Sequence, residues 1–349
     1  MIYSNLSLEI SYDLNKMRKI IFQNKLSLGD VVVCTAAIRD LHRAYPKDFK
    51  TGYAGTASVL FDNNPYINNF KDNAGVETIV LKYPAINKSN QRPLHFIGAY
   101  HEFLEEKLHL KIPVTEFKGD IHLSDEEKGW TNQVQNITKY EVPFWIIVSG
   151  GKYDFTCKWW DHKKYQEVVN SLKGEVLFVQ VGSDNHHHPP LKGVIDLRGK
   201  TDVRQLVRLV YHSSGVVCPV TGIMHMAAAV PTKQQGSSRP CVVIAGGREP
   251  VSWEHYPTHQ FHHTQGMLDC CKKGGCWKSR VEPRNDGSKQ DSSLCSLPVI
   301  PEGGESPIPK CMDMITADDV VRSIRKYIEG GASPKVNDIV WSEVEQHLS

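Results

Sequence analysis

The sequence predicts an α/β protein built from two doubly wound, parallel-sheet domains that face each other across a cleft. Three observations support this. From residue 18 to about 110, short apolar runs alternate with amphipathic segments, the sequence form of a parallel layered structure. The alternation thins over the polar stretch SDEEKGWTNQVQNITKYEVP and restarts at PFWIIVSGG. A chain of 349 residues also exceeds what one hydrophobic core usually organises. The expected boundaries are 1–140 for the first domain, 141–330 for the second and 331–349 for a C-terminal tail.

Each element has its own signal. RKIIFQ at 18–23 reads as a buried strand, and the apolar helix VVVCTAAIRDLHRAYP after it stops at Pro46. TGYAG near 52 and VETIVLKY at 76–83 are strand candidates, and HFIGAYHEFLEEKLHL at 95–110 has apolar residues at helical spacing. In the second half the strands are PFWIIVSGG, EVLFVQVGS, GVVCPVTG and RPCVVIAGG. Between them lie the helices DHKKYQEVVNSL, TDVRQLVRLVYHS (N-cap Thr201 or Asp202) and an alanine-rich run from Met224. TADDVVRSIRKYIE reads as a late amphipathic helix opened by a threonine cap.

Composition narrows the functional classes. A net charge of +2 and the lack of any Lys/Arg block argue against a nucleic-acid partner. The N-terminal stretch has no continuous apolar h-region, and no run approaches the roughly 18–20 residues of a membrane span, so a cytoplasmic protein is expected.

Ligands of doubly wound sheets lie off the carboxyl ends of the strands, and there the unusual residues collect: LSLGD in the first half, VSGG, VGSDNHHH and PVTG in the second. Gly29-Asp30 opens the first helix, where Asp30 fits either helix capping or the role of a general base at the cleft. GVVCPVTGIMHMAAAV runs from strand through a Thr221-Gly222 turn into a helix whose first N–H groups suit an anion, with His225 either a site residue or a packed core histidine. Lys158, before WWDHKKYQEVV, is either a phosphate partner or a surface lysine. The adjacent histidines 186–188 do not converge on one ion, and SWEHYPTHQFHHT reads as an aromatic, polar loop near the cleft.

No GxGxxG follows a strand, and GxxxxGK[ST], GxSxG and HExxH are missing, which disfavours a nicotinamide enzyme, a P-loop NTPase, a common esterase and a zincin. No Asp-x-Asp pair occurs, so a diphosphate would be held by backbone N–H groups, hydroxyls and lysine, without catalytic magnesium or manganese.

Four stretches in order, GDVVVCTAAIRDLHRAYP, CKWWDHKKYQEVV, VIDLRGKTDVRQLVRLVYHSSGVV and TGIMHMAAAV, resemble the family-nine glycosyltransferases, the ADP-heptose:lipopolysaccharide heptosyltransferases and their relatives. The resemblance spans roughly 18–245 and implies the GT-B architecture, two Rossmann-like domains with the active site between them. It implies an inverting transfer of a sugar, heptose by family default, from a nucleotide-diphosphate sugar to a glycan, lipid or protein hydroxyl. By position, Asp30 resembles the family base, with Gly29 beside it on the donor side. The turn Thr221, Gly222, Ile223 and Met224 resembles the diphosphate cradle, His225 the histidine after it, and Lys158 the lysine near the phosphates. Val220 departs from the pattern, standing where the family usually has an aspartate, which leaves the nucleotide and sugar open. The rival readings are a non-catalytic sugar-nucleotide binder and a metal-dependent interaction module on the same scaffold.

Cys34, Cys218 and Cys241 lie in apolar runs and read as core, while Cys157 stands apart beside Lys158 and two tryptophans. Five more crowd between 270 and 311, which reads as a cysteine-rich, metal-binding insertion at 268–312. Four thiolates, Cys271, Cys276, Cys295 and Cys311, make a tetrahedral structural site for zinc or iron, with Cys270 the alternative to Cys271. Disulfides are the competing reading, which a cytoplasmic setting disfavours. One branch of the resembled family, which glycosylates autotransporter proteins, is similar in carrying cysteine-bound iron in this half.

Overall fold

A computed structural model describes residues 17–348, except 73, 87 and 235. The N-terminal stretch read above for a leader lies largely outside the described residues. Strand β1 (Arg18–Asn24) runs into helix α1 (Leu28–Ala44), then β2 (Phe49–Gly55), β3 (Val76–Val80) and helix α2 (Phe96–Leu108). The three strands form a parallel sheet in the order β2-β1-β3. Two short helices, α3 (Asp125–Lys128) and α4 (Gln133–Thr138), occupy the polar stretch between the halves. Ser124 and Asn132 cap them by accepting the backbone N–H groups of Glu127 and Gln135.

The second half runs β4 (Phe144–Ile147), α5 (His162–Ser171), β5 (Leu177–Gln180), β6 (Ile195–Asp196), α6 (Val203–His212), β7 (Gly215–Pro219), α7 (Gly222–Ala229), β8 (Cys241–Gly246), α8 (Val251–Glu254) and β9 (Gln260–His263). Its six strands are all parallel, in the order β6-β5-β4-β7-β8-β9. The chain winds outward from β4, returns to β7 beside it, and winds outward the other way. The order therefore reverses between β4 and β7, and the crevice at that reversal lies off their carboxyl ends, beyond Val148 and Pro219.

The strands are apolar throughout because both faces are covered. In β4, Phe144 and Ile146 join one core, which also takes in α1, α2 and α7, while Trp145 and Ile147 join a second beneath α5 and the late helix α10 (Ala317–Glu329). Asp202, one of two cap candidates, is the N-cap of α6, and Thr316 caps α10 as its sequence predicted. Helix α1 is buried from Asp30 to His42; its apolar residues are covered on all sides, and Arg39 and Asp40 are buried as a hydrogen-bonded pair at 2.9 Å.

Two expectations differ from the fold. The segment at 252–264, read as a loop, holds the edge strand β9 and all but the first residue of the one-turn helix α8. The tail carries helix α11 (Asp338–Val344), and Val336 and Val344 return to the main core. The cysteine-rich segment is mostly irregular, with one small antiparallel pair, β10 (Pro298–Val299) and β11 (Ile308–Pro309), before helix α9 (Lys310–Asp313). Among the described residues no helix is long and apolar enough to cross a membrane.

Candidate active site

Helices α1 and α7 each follow a strand of a different sheet, and their N-termini meet. The approach is close enough that a side chain at Gly29 would force a shift and one at Gly222 would be tight. A Cβ on Gly29 would stand 2.9 Å from His225 Cδ2 and 3.1 Å from Gly222 Cα, and one on Gly222 would stand 3.1 Å from the Gly29 nitrogen. Of the residues singled out in the sequence, Gly29, Asp30, Gly222 and His225 thus come together, with Thr221, Ile223 and Met224 on the same turn.

Asp30 is the third residue of α1, not its cap. The backbone N–H of Ser27 donates to its Oδ2 at 2.9 Å, so capping and cleft placement coexist in one residue. Its carboxyl is pushed up to about 6 by burial, against the Ser27 amide, His225 and Lys158, with Glu254 adding to the rise. A carboxylate of that affinity at a cleft suits proton abstraction near neutral pH. Lys152 Nζ donates to Ser27 Oγ at 2.9 Å, tying the loop after β4 in the second half to the start of α1 in the first.

Thr221 is extended and precedes the first turn of α7; its hydroxyl is buried without a partner. The side chains of Ile223 and Met224 point into the core, leaving their backbone to the turn. First-turn N–H groups of a helix together with an idle buried hydroxyl make a place for an anion. His225 is buried as a core histidine would be, yet it lies directly against Gly29. Its Nδ1 is 2.8 Å from the Tyr256 hydroxyl and its Nε2 is 3.1 Å from Glu254 Oε2.

Lys158 is not a surface lysine. Its ammonium is 2.7 Å from Oε1 of Glu249, a buried carboxylate that also takes the Arg248 guanidinium. Burial raises the Glu249 carboxyl, but the two cations outweigh it and hold the group below its usual range. Glu249, Glu254, Arg248 and Tyr256 were missed by the sequence reading. All belong to REPVSWEHYP, which follows β8, and a strand-end position was the one signal that marked the stretch. An aromatic wall flanks the group: Phe96 of α2 stacks on Trp253 of α8 at 4.8 Å and on Tyr83 at 5.0 Å.

The cysteines regroup. Cys34, Cys218 and Cys241 are core residues, as expected. Cys271, Cys276, Cys295 and Cys311 line one small cavity together with Cys270 and with Cys157, which the sequence had set apart. All nine thiols are free. A hydrogen bond with Cys157 draws the Cys295 thiol down to about 6 and raises that of Cys157. Among the described residues no three His, Cys, Asp or Glu side chains are grouped so as to hold a metal ion, so the predicted quartet shares a cavity without forming a ligand set. Of the triple histidine, His187 stacks on Trp159 at 4.1 Å.

The model of one family, glycosyltransferase family 9 (heptosyltransferase), matches residues 41–236. That span takes in Lys158 and the Thr221–His225 turn, and it begins after Asp30 and ends before the cysteine-rich segment. No curated protein matches the chain in sequence. Among solved structures, a glycosyl transferase of family 9 from Veillonella parvula DSM 2008 superposes with a TM-score of 0.58 at 14% identity, over 90% of this chain and 97% of its own. ADP-heptose lps heptosyltransferase II of E. coli gives 0.54 at 14% identity, over 90% and 100%. The iron-containing dodecameric glycosyltransferase TibC of enterotoxigenic E. coli H10407 gives 0.59 at 17%, over 91% and 78%. At such identities these likenesses speak for the fold.

Proposed function

The chain belongs to glycosyltransferase family 9, and on that premise we propose that it moves a sugar, with inversion, from a nucleotide-diphosphate donor to a hydroxyl acceptor in the cleft where α1 meets α7. The observation that carries the reading is that meeting itself: the glycine contact sets a buried carboxylate of raised proton affinity beside an anion-suited helix N-terminus. In this reading the two halves form a GT-B pair, residues 1–140 on the acceptor side and 141–330 on the donor side.

Asp30 takes the proton of the acceptor hydroxyl as that oxygen attacks the anomeric carbon from the face opposite the diphosphate. The bond from the anomeric carbon to the diphosphate oxygen breaks, and its electron pair leaves with the nucleoside diphosphate. The Thr221 hydroxyl, the first N–H groups of α7 and Lys158 face the charge that builds there, the kind of electrostatic stabilisation that usually dominates such transfers. His225, held by Tyr256 and Glu254, supports the contact between the helices. Neighbours named for ADP-heptose make that donor the first to try. The acceptor class is a carbohydrate, lipid or protein hydroxyl.

The cysteine cavity suits zinc or iron in its donor chemistry, since thiolates favour both, and one neighbour is described as iron-containing. Its spacing does not close into a ligand group among the described residues, so no step of the transfer is drawn through a metal. Metal analysis of the purified protein tests the site: about one bound zinc or iron per chain, lost on replacing Cys276 and Cys295 by serine, supports it, and a metal-free folded protein removes it.

The deciding experiment for the function is calorimetric titration with ADP, GDP, UDP and their sugar conjugates. Selective binding of one nucleoside diphosphate, followed by its release from the sugar conjugate in the presence of acceptor, supports the transferase. A folded protein that binds none of them overturns it.

A further inference from the structure

Resting on that reading, we propose that Arg248 is a positioning residue that frees Lys158 for the donor diphosphate: Arg248 is the permanent partner of the buried Glu249 carboxylate, and Lys158 is the exchangeable one. One carboxylate oxygen, Glu249 Oε1, takes both the Arg248 guanidinium and the Lys158 ammonium, while Oε2 is buried without a partner. Two cations on one carboxylate leave a formal surplus of one positive charge.

The two cations are not held alike. Arg248 lies between the rings of Phe155, 5.0 Å from its guanidinium carbon, and Trp277, at 5.8 Å. Its Nε donates to the Lys278 carbonyl at 2.5 Å, and its side chain is 7% exposed. A planar guanidinium within 6 Å of two rings and hydrogen-bonded in this way is fixed in place. Trp277 is in turn held by its indole N–H donating to Asn90 Oδ1 at 3.0 Å. The Lys158 side chain is 22% exposed, and among the described residues its one ion-pair partner is Glu249. Its ammonium also lies over the Phe155 ring, at 5.8 Å, but it has no hydrogen-bonded carbonyl like that of Arg248, and it ends a flexible four-carbon stem as a compact charge that can swing. Lys158 ends the short helical turn that follows Lys152, whose ammonium donates to Ser27 Oγ at 2.9 Å at the start of α1.

An incoming diphosphate carries more negative charge than a carboxylate that Arg248 has already neutralised, so it draws Lys158 across. Without Arg248, Glu249 would be a buried bare charge and Lys158 its sole counter-ion, and withdrawing Lys158 would leave that charge uncompensated. Arg248 thus contributes to donor binding without touching the donor.

The test is a set of calorimetric titrations with ADP, or with GDP or UDP if one of these binds the wild-type protein more tightly. Arg248→Met weakens binding by about 10-fold or more, the scale of a trapped buried ion pair. Arg248→Met combined with Glu249→Gln returns affinity to within about 3-fold of wild type, because nothing then holds Lys158 back. Glu249→Gln alone tightens binding, which keeps the test open if Arg248→Met does not fold. On a Lys158→Met background, Arg248→Met has no further effect on affinity. Wild-type affinity in Arg248→Met, a double variant as weak as Arg248→Met, or weakened binding in Glu249→Gln would each overturn the proposal. If the wild-type protein binds none of the three nucleotides, the transferase reading itself fails, a distinct result.

Discussion

At the scale of single residues, Asp30 meets two opposed demands, and its chemistry follows from the balance. Burial favours the protonated form; the Ser27 amide, His225 and Lys158 favour the carboxylate, and the outcome is a group pushed up to about 6. In the proposed role of base it would work only when ionised, so kcat/KM is expected to fall about tenfold per pH unit below 6 and to flatten above it. The sign for stability is opposite. The native affinity lies above the ordinary value of 3.8, so the folded state binds the proton more tightly than the unfolded state. The ionised group therefore destabilises the fold fully above pH 6, and that cost fades as pH falls from about 6 to below 4. Asp30→Asn is expected to slow transfer by about 10²–10⁴-fold and to stabilise the protein by up to about 3 kcal/mol at pH 8, with little gain at pH 4. Urea melts at the two pH values, alongside initial rates, check both halves; a wild-type protein more stable than the variant at pH 8 would contradict the burial argument. Asp30 was legible in sequence because a Gly-Asp pair at a strand-to-helix junction is a positional signal. Glu249 and Glu254 were not, because acidic residues among prolines and aromatics carry no periodicity, and only the tertiary path of α8 brings Glu254 to His225.

At the scale of elements, the site is a contact between two helix ends, and its precision depends on what is missing from Gly29 and Gly222. Helix α1 was readable because its run of Val31, Val32, Val33, Cys34, Ala36, Ala37 and Ile38 is long and apolar, as a helix buried on most sides requires. The strands were readable for the related reason that alternate residues serve two cores. Strand β9 was not: its four residues, Gln260 to His263, are half-exposed at the edge of the sheet and two are histidines, so no apolar run announces them. Nor could the sequence say that α1 and α7 touch, since they belong to different sheets. Gly29→Ala tests the contact. Its new Cβ would press on His225 Cδ2 at 2.9 Å and on the backbone of Gly222 at 3.1 Å, and the ring is already pinned by Tyr256 and Glu254. The helices must then separate, at an expected cost of about 1–3 kcal/mol in stability. Transfer is expected to fall by about 10²-fold, the penalty of displacing a reacting group by an ångström. Unchanged turnover would mean that the helix contact does not set the position of Asp30.

At the scale of the whole molecule, the cysteine-rich segment closes the structure from one half to the other. Counting cysteines found the segment and five of the six thiols at its cavity, but Cys157 is distant in sequence and joins only because the segment folds back on the end of β4. What the sequence could not show at all is the bridge to the first half. Asn90 there accepts the Gly275 N–H at 3.0 Å and the Trp277 indole N–H at 3.0 Å on Oδ1, and donates from Nδ2 to the Gly275 carbonyl at 2.8 Å. A Cβ on Gly274, at φ +123°, would press on the Asn90 side chain at 2.7 Å, so the approach is as tight as the one between α1 and α7. Trp277 is held beyond it at φ 56°, a left-handed conformation uncommon for a bulky residue, which persists only when its surroundings fix it. From there the indole packs on Trp253 at 6.0 Å and on Arg248. Asn90→Ala removes three hydrogen bonds and with them the brace on that strained residue. The expected loss is about 1–3 kcal/mol of stability, since the groups left behind are partly buried. Amide exchange should quicken over residues 274–279 while the central strands β4 and β7 keep their protection. Because Trp277 is one wall of the Arg248 slot, nucleoside-diphosphate affinity should weaken by several-fold as well, on the same scale as other losses of preorganisation. If exchange over 274–279 rises but nucleotide affinity does not change, the bridge stabilises the fold alone; a joint change would make the cysteine-rich segment part of the donor site's support.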